Sequence, residues 1–374
     1  MTYMLTRYLY ARDECEIMLV SSLLSKNLNE CYYWLYELYY SGYDLKVLFW
    51  KIYYDFYFYN SPKLEIFIRK KLNKNITINT YNHILQNLIN RKLNSNIFIM
   101  RQYINYLINN KPTSSHTIKG RKPNYCRNID KKYQNVIICI KKNNYEGICY
   151  HIYKLLIIDK CSKSELFINL LIYLNTYNKS STYNKQYYDT IYNKYWTING
   201  NKELPEYYIF IILIVNIITI SFNTDLPIEL FNNTLQFIET HESKNVNRIY
   251  NTLKVKRIFS INPYVGSFKL ARFDIDDLQK KMLENWEYYT KATPCWEERH
   301  KIFKTSFNDN NKIIFENDDL LEEFYEHYGY ELDEQSKEIQ NQSIGIINNN
   351  SLGIWYDLYF DTSCICLPNI KLTF

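Results

Sequence analysis

The sequence predicts an all-α protein, an irregular helical bundle or array of helical hairpins in two domains, with a short extended C-terminal segment. Apolar residues recur at helical spacing in almost every part of the chain. Start and stop signals for helices lie close together, and such short loops favour antiparallel neighbours. Strand patterns are few, and 47% of the residues are apolar, which is enough to build a sizeable core.

The first helices have recognisable boundaries. Asn27 with Glu30 three positions later has the spacing of a capping box. Gly42 stands where a left-handed residue ends a helix, and Asp44 is suited to cap the next one. Pro62 then begins or precedes a further helix. We therefore expect a series of short helices joined by tight turns.

Further helices are predicted wherever three to five apolar positions share one helical face. These windows are 14–24, 79–91, 95–109, 130–142, 145–159, 164–178, 206–222, 247–258, 274–291 and 317–328. Strand signals are confined to the tail at 354–372, where one or two short strands are expected.

Composition divides the chain into four regions. We predict a basic N-terminal helical domain at 1–110, a basic linker at 111–127, a second helical domain at 128–305 and an acidic C-terminal region at 306–374. Residues 1–200 carry 28 Lys and Arg against 13 Asp and Glu, a net +15, whereas the remainder carries 17 against 26, a net −9. This split indicates two regions with different partners, or two halves that attract each other.

Motifs for several chemistries are missing from the sequence. It has no phosphate-binding P-loop, no dinucleotide-binding glycine pattern, no zinc-protease motif and no serine-hydrolase motif. The nine cysteines include no CxxC pair, and the six histidines are dispersed. We therefore expect no cofactor, no metal site and no small-molecule substrate, and no catalytic residue can be named. The cysteines are expected to be reduced thiols, because no secretory signal opens the chain.

A run of basic residues in the linker and at the start of the next helix is the strongest functional hint. Its members are Lys111, Lys119, Arg121, Lys122, Arg127, Lys131 and Lys132. Flexible basic segments bind phosphate backbones through counterion release, without sequence specificity. Tyr125 and Tyr133 lie beside them and could stack on bases. The alternative is a solvated linker.

Acidic residues cluster on one predicted helix near the C-terminus. They are Asp318, Asp319, Glu322, Glu323 and Glu326. Such a cluster is typical of a solvated helix face. The sharper hypothesis is a docking surface for a basic partner, which includes the basic half of this same chain.

The apolar run at 207–222 has 16 residues, whereas a membrane-spanning helix needs about 20. Asn216, Thr219 and Ser221 interrupt it. The pattern favours a buried central helix, and a membrane span is the alternative.

Two stretches resemble parts of uncharacterised helical proteins of the nucleocytoplasmic large DNA viruses, the giant viruses. They are MTYMLTRYLY at 1–10, with Asp13-Glu14-Cys15-Glu16 after it, and FYEHYGYELDEQSKEIQ at 324–340. The heavy use of Tyr, Asn, Ile and Lys, which have AT-rich codons, suits such a source. The resemblance implies a viral origin but no particular activity.

A second, local resemblance concerns the stretch NECYYWLYELYYSGYD at 29–44. It is similar to the helical collar of clamp-loader-like ATPases, in which an aromatic and leucine-rich helix ends in Gly and an Asp begins the next. The ATPase domain that precedes such a collar is missing from this sequence.

The sequence therefore predicts a non-enzymatic helical scaffold or adaptor of a large DNA virus that binds nucleic acid through its basic half. Protein partners are expected as well, a membrane is not, and the expected location is intracellular, in host cytoplasm, viral factory or virion. One alternative is a virion structural protein apposed to a membrane through 207–222. Another is a metal-dependent nuclease or transferase whose carboxylates converge from distant segments.

Overall fold

The computed structural model describes residues 4–73, 76–94, 96–110, 116–118, 120–142, 144–162, 165–166, 168–170, 172–173, 281 and 284–328. Over these residues the chain is mainly helical, which confirms the all-α class. The α-helices are α1 (Arg12–Leu24), α2 (Leu28–Tyr40), α3 (Lys46–Ile52), α4 (Leu64–Leu72), α5 (Ile78–Ile89), α6 (Asn96–Asn110), α7 (Lys131–Lys141), α8 (Tyr145–Tyr153), α9 (Trp286–Thr290), α10 (Pro294–Ile302) and α11 (Asp318–Tyr328).

Two π-helices, one 3₁₀ helix and one β-hairpin complete the described elements. π-Helices follow α3 at Tyr53–Tyr57 and α8 at Lys154–Ile158, and a 3₁₀ helix at Asn124–Asn128 precedes α7. Strands β1 (Ser306–Phe307) and β2 (Ile313–Ile314) pair antiparallel between α10 and α11. The hairpin was not predicted, because two-residue strands are too short to show an alternating pattern.

Most predicted helix boundaries agree with the structure where it describes the chain. The window at 274–291 is an exception, because α9 begins only at Trp286 after a non-helical Asn285, and α10 was not predicted. Asn27 caps α2, since its Oδ1 accepts the Glu30 N–H at 3.3 Å. Gly42 follows α2 with a φ of +88°, as expected for the residue that ends a helix. The windows at 206–222 and 247–258 and the tail at 354–372 lie outside the described residues.

The chain divides into two compact units. Among the described residues, unit 1 contains 4–49, 66–90 and 281–328, and unit 2 contains 50–65 and 91–173. Each unit therefore combines segments that are distant in sequence. The domain boundaries predicted at 111–127 and at 305–306 stay predictions.

The core of unit 1 is built on α2, which packs between α1 and α5. Its aromatic residues are buried almost all round the helix, including Trp34. Polar side chains of α5 satisfy two of the buried hydroxyls: Asn82 Nδ2 donates to Tyr36 at 3.0 Å, and Gln86 Nε2 donates to Tyr32. Burial raises the pKa of Tyr32 to about 12. These pairs explain how a tyrosine-rich helix is accommodated inside a core.

A single carboxylate on α2 joins this helix to the N-terminal residues. Glu37, only 1% exposed, accepts hydrogen bonds from the Thr6 hydroxyl, from Arg7 Nε at 3.2 Å and from the Tyr8 N–H at 2.9 Å. The Arg7 guanidinium also lies over the Tyr8 and Tyr40 rings, at 4.2 and 4.9 Å from their centroids. A buried carboxylate is tolerated here because charged and neutral donors surround it.

The segment from α9 to α11 attaches to the same N-terminal region of unit 1. The Leu5 N–H donates to the Tyr289 carbonyl at 2.9 Å, and the Thr293 hydroxyl donates to the Leu5 carbonyl. The Tyr43 hydroxyl lies 2.9 Å from the Thr293 hydroxyl. The beginning of the chain and residues near 290 therefore belong to one folded body.

Aromatic rings fill the interior of the α9–α11 segment. Trp286 and Trp296 meet edge to face at 5.2 Å, and Phe324 of α11 lies 6.3 Å from both. Arg299 places its guanidinium 4.5 Å from the Trp296 ring centroid and 4.8 Å from that of Tyr328. This cluster fixes which side of α11 faces inward.

Unit 2 contains a partly buried ion pair of its own. Arg101 on α6 donates from Nε and Nη2 to the two carboxylate oxygens of Asp55, at 3.0 and 2.7 Å. Phe56 and Phe98 pack alongside at 4.9 Å. α6 and α7 both contact α8, so the helix that follows the basic linker packs against other helices of unit 2.

Replacing Glu37 by Gln is expected to lower the free energy of unfolding of unit 1 by about 3 kcal/mol, because it removes the negative charge beside buried Arg7. Urea denaturation followed by tryptophan fluorescence measures this. Glu16→Gln is the control. The ion pair of Glu16 with Arg12 is partly exposed and should contribute less than about 1 kcal/mol to the free energy of unfolding. Equal effects of the two substitutions would contradict the assigned role of Glu37.

Alanine at Gly42 is expected to destabilise the protein more than alanine at Gly120. Both glycines have positive φ, at which alanine costs about 1–2 kcal/mol. At Gly42 an added Cβ would also lie 2.7 Å from Pro294 Cβ, whereas at Gly120 it meets no atom within 4 Å. Amide hydrogen exchange of each unit measures the two losses, and a smaller loss for Gly42→Ala than for Gly120→Ala would refute this packing.

Candidate nucleic-acid interface

The described residues at 120–132 form the basic segment, which comprises the 3₁₀ helix and the first turn of α7. Cys126 and Ile129 point into the core of unit 2. Gln134 Nε2 donates to the carbonyls of both residues, at 3.0 and 2.9 Å, and Asp130 caps α7 by accepting the Lys132 N–H at 3.1 Å. These bonds hold the backbone of Cys126 and Ile129 against α7.

Four of the predicted cations are displayed on this segment. Arg121, Lys122, Arg127 and Lys131 are all exposed. Lys122 donates to the neutral side-chain oxygen of Gln134 at 2.7 Å. Within the described parts of the chain, none of the four forms an ion pair with a carboxylate. Lys111 and Lys119 lie outside the described residues.

Lys132 differs from its neighbours because a carboxylate already matches its charge. Its Nζ lies 2.6 Å from Glu165 Oε1, and this hydrogen bond raises the pKa of Lys132. The same contact holds the pKa of Glu165 below its ordinary value. Lys132 therefore offers less to an external phosphate than the four cations that have no carboxylate partner among the described residues.

Tyr133 does not have the position that the sequence suggested. It is 1% exposed, donates its hydroxyl to Glu165 at 3.2 Å and accepts from Asn169 at 3.0 Å. A ring buried in this way cannot stack on bases, so that expectation is wrong. Tyr125 is half-buried on the 3₁₀ helix and retains a partly accessible ring.

His116, which lies just before the basic segment, contacts the N-terminus of α8. Asn144, which caps α8 by accepting the Gly147 N–H at 2.9 Å, donates through Nδ2 to His116 Nε2 at 3.2 Å. A Cβ at Gly147 would lie 2.7 Å from the same His116 atom, so only glycine allows this approach. The His116 ring lies 5.9 Å from that of His151. No sequence pattern marks this contact, because His116 is 28 or more residues from Asn144, Gly147 and His151.

His151 is an unusual group within this contact. It is 5% exposed, and its Nε2 has no hydrogen-bond partner among the described residues. Burial, then the neighbouring His116 and Lys154, lower the pKa of His151 to about 4. The imidazole is therefore neutral at physiological pH, and α8 packs around an uncharged ring.

The predicted acidic docking residues all lie on α11. Asp318, Asp319, Glu322, Glu323 and Glu326 are exposed and follow one another at helical spacing. The opposite side of the helix buries Phe324 and Tyr328. None of the five carboxylates forms an ion pair within the described ranges, so the stripe faces solvent. The docking role stays a prediction.

A metal site and a membrane-spanning helix are both missing from the part of the chain that the structure describes. There, no three His, Cys, Asp or Glu side chains are placed to hold one metal ion. None of the described helices is both long enough and apolar enough to cross a membrane. The apolar run at 207–222 lies outside these residues.

Comparison of the chain with protein-family models, with curated proteins and with solved structures found no match.

Stability of unit 2 is expected to fall as the pH drops from about 6.5 to about 4. In this window an unfolded chain protonates His151 and the folded chain does not, so added protons favour unfolding. His151→Gln should reduce this pH dependence, measured as the change in urea midpoint across the window. A variant whose midpoint falls as steeply as that of the original protein would show that burial of His151 is not the cause.

Proposed function

We propose that this protein is a non-enzymatic helical adaptor that binds nucleic acid through the basic segment. The observation that supports this proposal most is the display of Arg121, Lys122, Arg127 and Lys131 on one ordered segment, each without a carboxylate partner among the described residues. Cations in such a position attract phosphate groups and release the counterions that surround a polyanion.

The expected mode of binding is contact with the phosphate backbone rather than with base edges. The two arginines supply planar groups that can bind phosphate oxygens in pairs, and the lysines act as point charges. Burial of Tyr133 removes one stacking ring, and Tyr125 is the remaining candidate on the segment. We therefore expect weak dependence on sequence and strong dependence on salt.

The acidic face of α11 supplies the second contact that an adaptor needs. Its carboxylates bear no ion pair in the described chain, and they lie on a helix held by a well-packed aromatic cluster. A basic protein surface has the charge to dock there. The two charged surfaces would then connect a nucleic acid to a protein.

The proposed setting is the interior of a cell infected by a large DNA virus, in host cytoplasm, viral factory or virion. The resemblance of 1–16 and 324–340 to giant-virus proteins supports the viral origin. Seven described cysteines are free thiols, as in proteins of a reducing compartment: Cys15, Cys31, Cys126, Cys139, Cys149, Cys161 and Cys295.

Filter binding of the full chain to single-stranded DNA across a salt series tests the proposal. The triple substitution Arg121→Gln, Arg127→Gln and Lys131→Gln should weaken binding at low salt. It should also reduce the slope of log affinity against log salt by about 2, because each phosphate contact contributes about 0.7 for single strands.

A matched triple variant keeps the change in net charge the same but places it elsewhere. Lys26→Gln, Lys51→Gln and Lys92→Gln change exposed lysines outside the basic segment. This control should retain the affinity and slope of the original protein. No binding at low salt, affinity that ignores salt, or equal losses in the two triple variants would remove the proposal.

A further inference from the structure

Cys161 stands within reach of a lysine amine. Its Sγ lies 3.6 Å from Lys132 Nζ and 3.5 Å from the Tyr133 hydroxyl, and the residue is 6% exposed. The Cys161 N–H donates to the Leu155 carbonyl at 2.9 Å, directly after the second π-helix. This bond holds the backbone that carries the thiol, so the contact between sulfur and nitrogen is built into the fold of unit 2.

The third member of the arrangement is a carboxylate that holds the amine in place. Glu165 Oε1 lies 2.6 Å from Lys132 Nζ and 3.2 Å from the Tyr133 hydroxyl. One amine, one oxidisable sulfur and one carboxylate that orients the amine therefore meet at a single place. Because the side chain of Lys132 is partly exposed, a small oxidant can approach from the solvent side.

We propose that this is a site of oxidative modification at which hydrogen peroxide leads to a covalent bond between Cys161 Sγ and Lys132 Nζ. In the first step the thiol reacts with one peroxide molecule to give a sulfenic acid and one water, so the sulfur is oxidised and the peroxide is reduced. In the second step the nitrogen attacks the sulfur, and the hydroxyl group leaves as water.

The protons of the second step are all accounted for. Of the three hydrogens on the Lys132 ammonium group, one passes to a base in the solvent before the attack, one leaves with the hydroxyl as water, and one stays on nitrogen. The product is a sulfenamide, R–S–NH–R′, like the sulfenamides that a sulfenic acid forms with backbone nitrogen. Because the hydrogen bond to Glu165 raises the pKa of Lys132, the reactive neutral amine forms only as the pH rises, and formation of the bond should be faster at higher pH.

Thiols reverse the modification. One thiol molecule attacks the sulfur, which forms a mixed disulfide and restores the lysine amine, and a second thiol molecule releases the Cys161 thiol. While the bond exists, it ties the first turn of α7 to the chain after the second π-helix and removes the charge of Lys132. The modification does not depend on whether the basic segment binds nucleic acid.

Mass spectrometry of the full chain after peroxide treatment tests the proposal. A protease that cleaves after acidic residues separates Lys132 from Cys161, because Glu146 lies between them. The expected product is a linked pair of peptides lighter than their sum by two hydrogen atoms, which disappears after incubation with a thiol. Its yield should rise with pH.

Two variants assign the bond. Lys132→Arg keeps a cation that can pair with Glu165 but has no amine, so the linked pair should be lost completely. Lys131→Arg changes the neighbouring exposed lysine and should leave the yield unchanged. Circular dichroism before oxidation checks that both variants are folded. The proposal is overturned if Cys161 in the original protein becomes only sulfinic acid, sulfonic acid or a disulfide, if it stays unmodified, if the link retains an oxygen atom, or if the link persists in Lys132→Arg.

Discussion

The buried carboxylate of Glu37 is the constraint on which unit 1 depends. It draws the backbone and side chains of residues 6–8 onto α2, and Leu5 then reaches Tyr289 and Thr293. A segment near residue 290 is thereby joined to the N-terminal residues through one backbone hydrogen bond and one bond from the Thr293 hydroxyl. Loss of the carboxylate would remove the acceptor that three buried donors share, which costs more than an exposed ion pair contributes.

Charges in this protein follow two different rules. Inside, opposite charges are paired with good geometry, as in Arg7 with Glu37 and Arg101 with Asp55. Outside, the basic segment and the acidic face of α11 display charges that the described chain does not neutralise. Because exposed charges add little to stability, folding does not require this arrangement, and an external partner is the physical reason for it that we favour.

The local features of the fold were predictable from the sequence. Helical periodicity and the cap at Asn27 depend on neighbouring residues, and the structure agrees with both. The exposed positions of Arg121 and Lys131 also agree with the polar character of their surroundings. Local sequence patterns therefore predict which residues share a helix and which residues are too polar to bury.

Contacts between distant residues were not predictable. The burial of Tyr133 follows from Glu165 and Asn169, and the position of His116 follows from Asn144, so neither is visible in a local pattern. Tyrosine is so frequent in this chain that its identity alone does not distinguish a core ring from a stacking ring. The pairing of Lys132 with Glu165 likewise depends on tertiary packing. Because of this pairing, Lys132 is less available to phosphate than the sequence suggested.

Hydrogen–deuterium exchange of the full chain with and without a short single-stranded DNA tests the central claim most directly. The account predicts slower exchange at the amides of 120–132 when DNA is bound, with little change on α11, whose face carries like charge to the DNA. Protection confined to other parts of the chain, or exchange that DNA leaves unchanged under low-salt conditions, would contradict the claim that the basic segment binds nucleic acid.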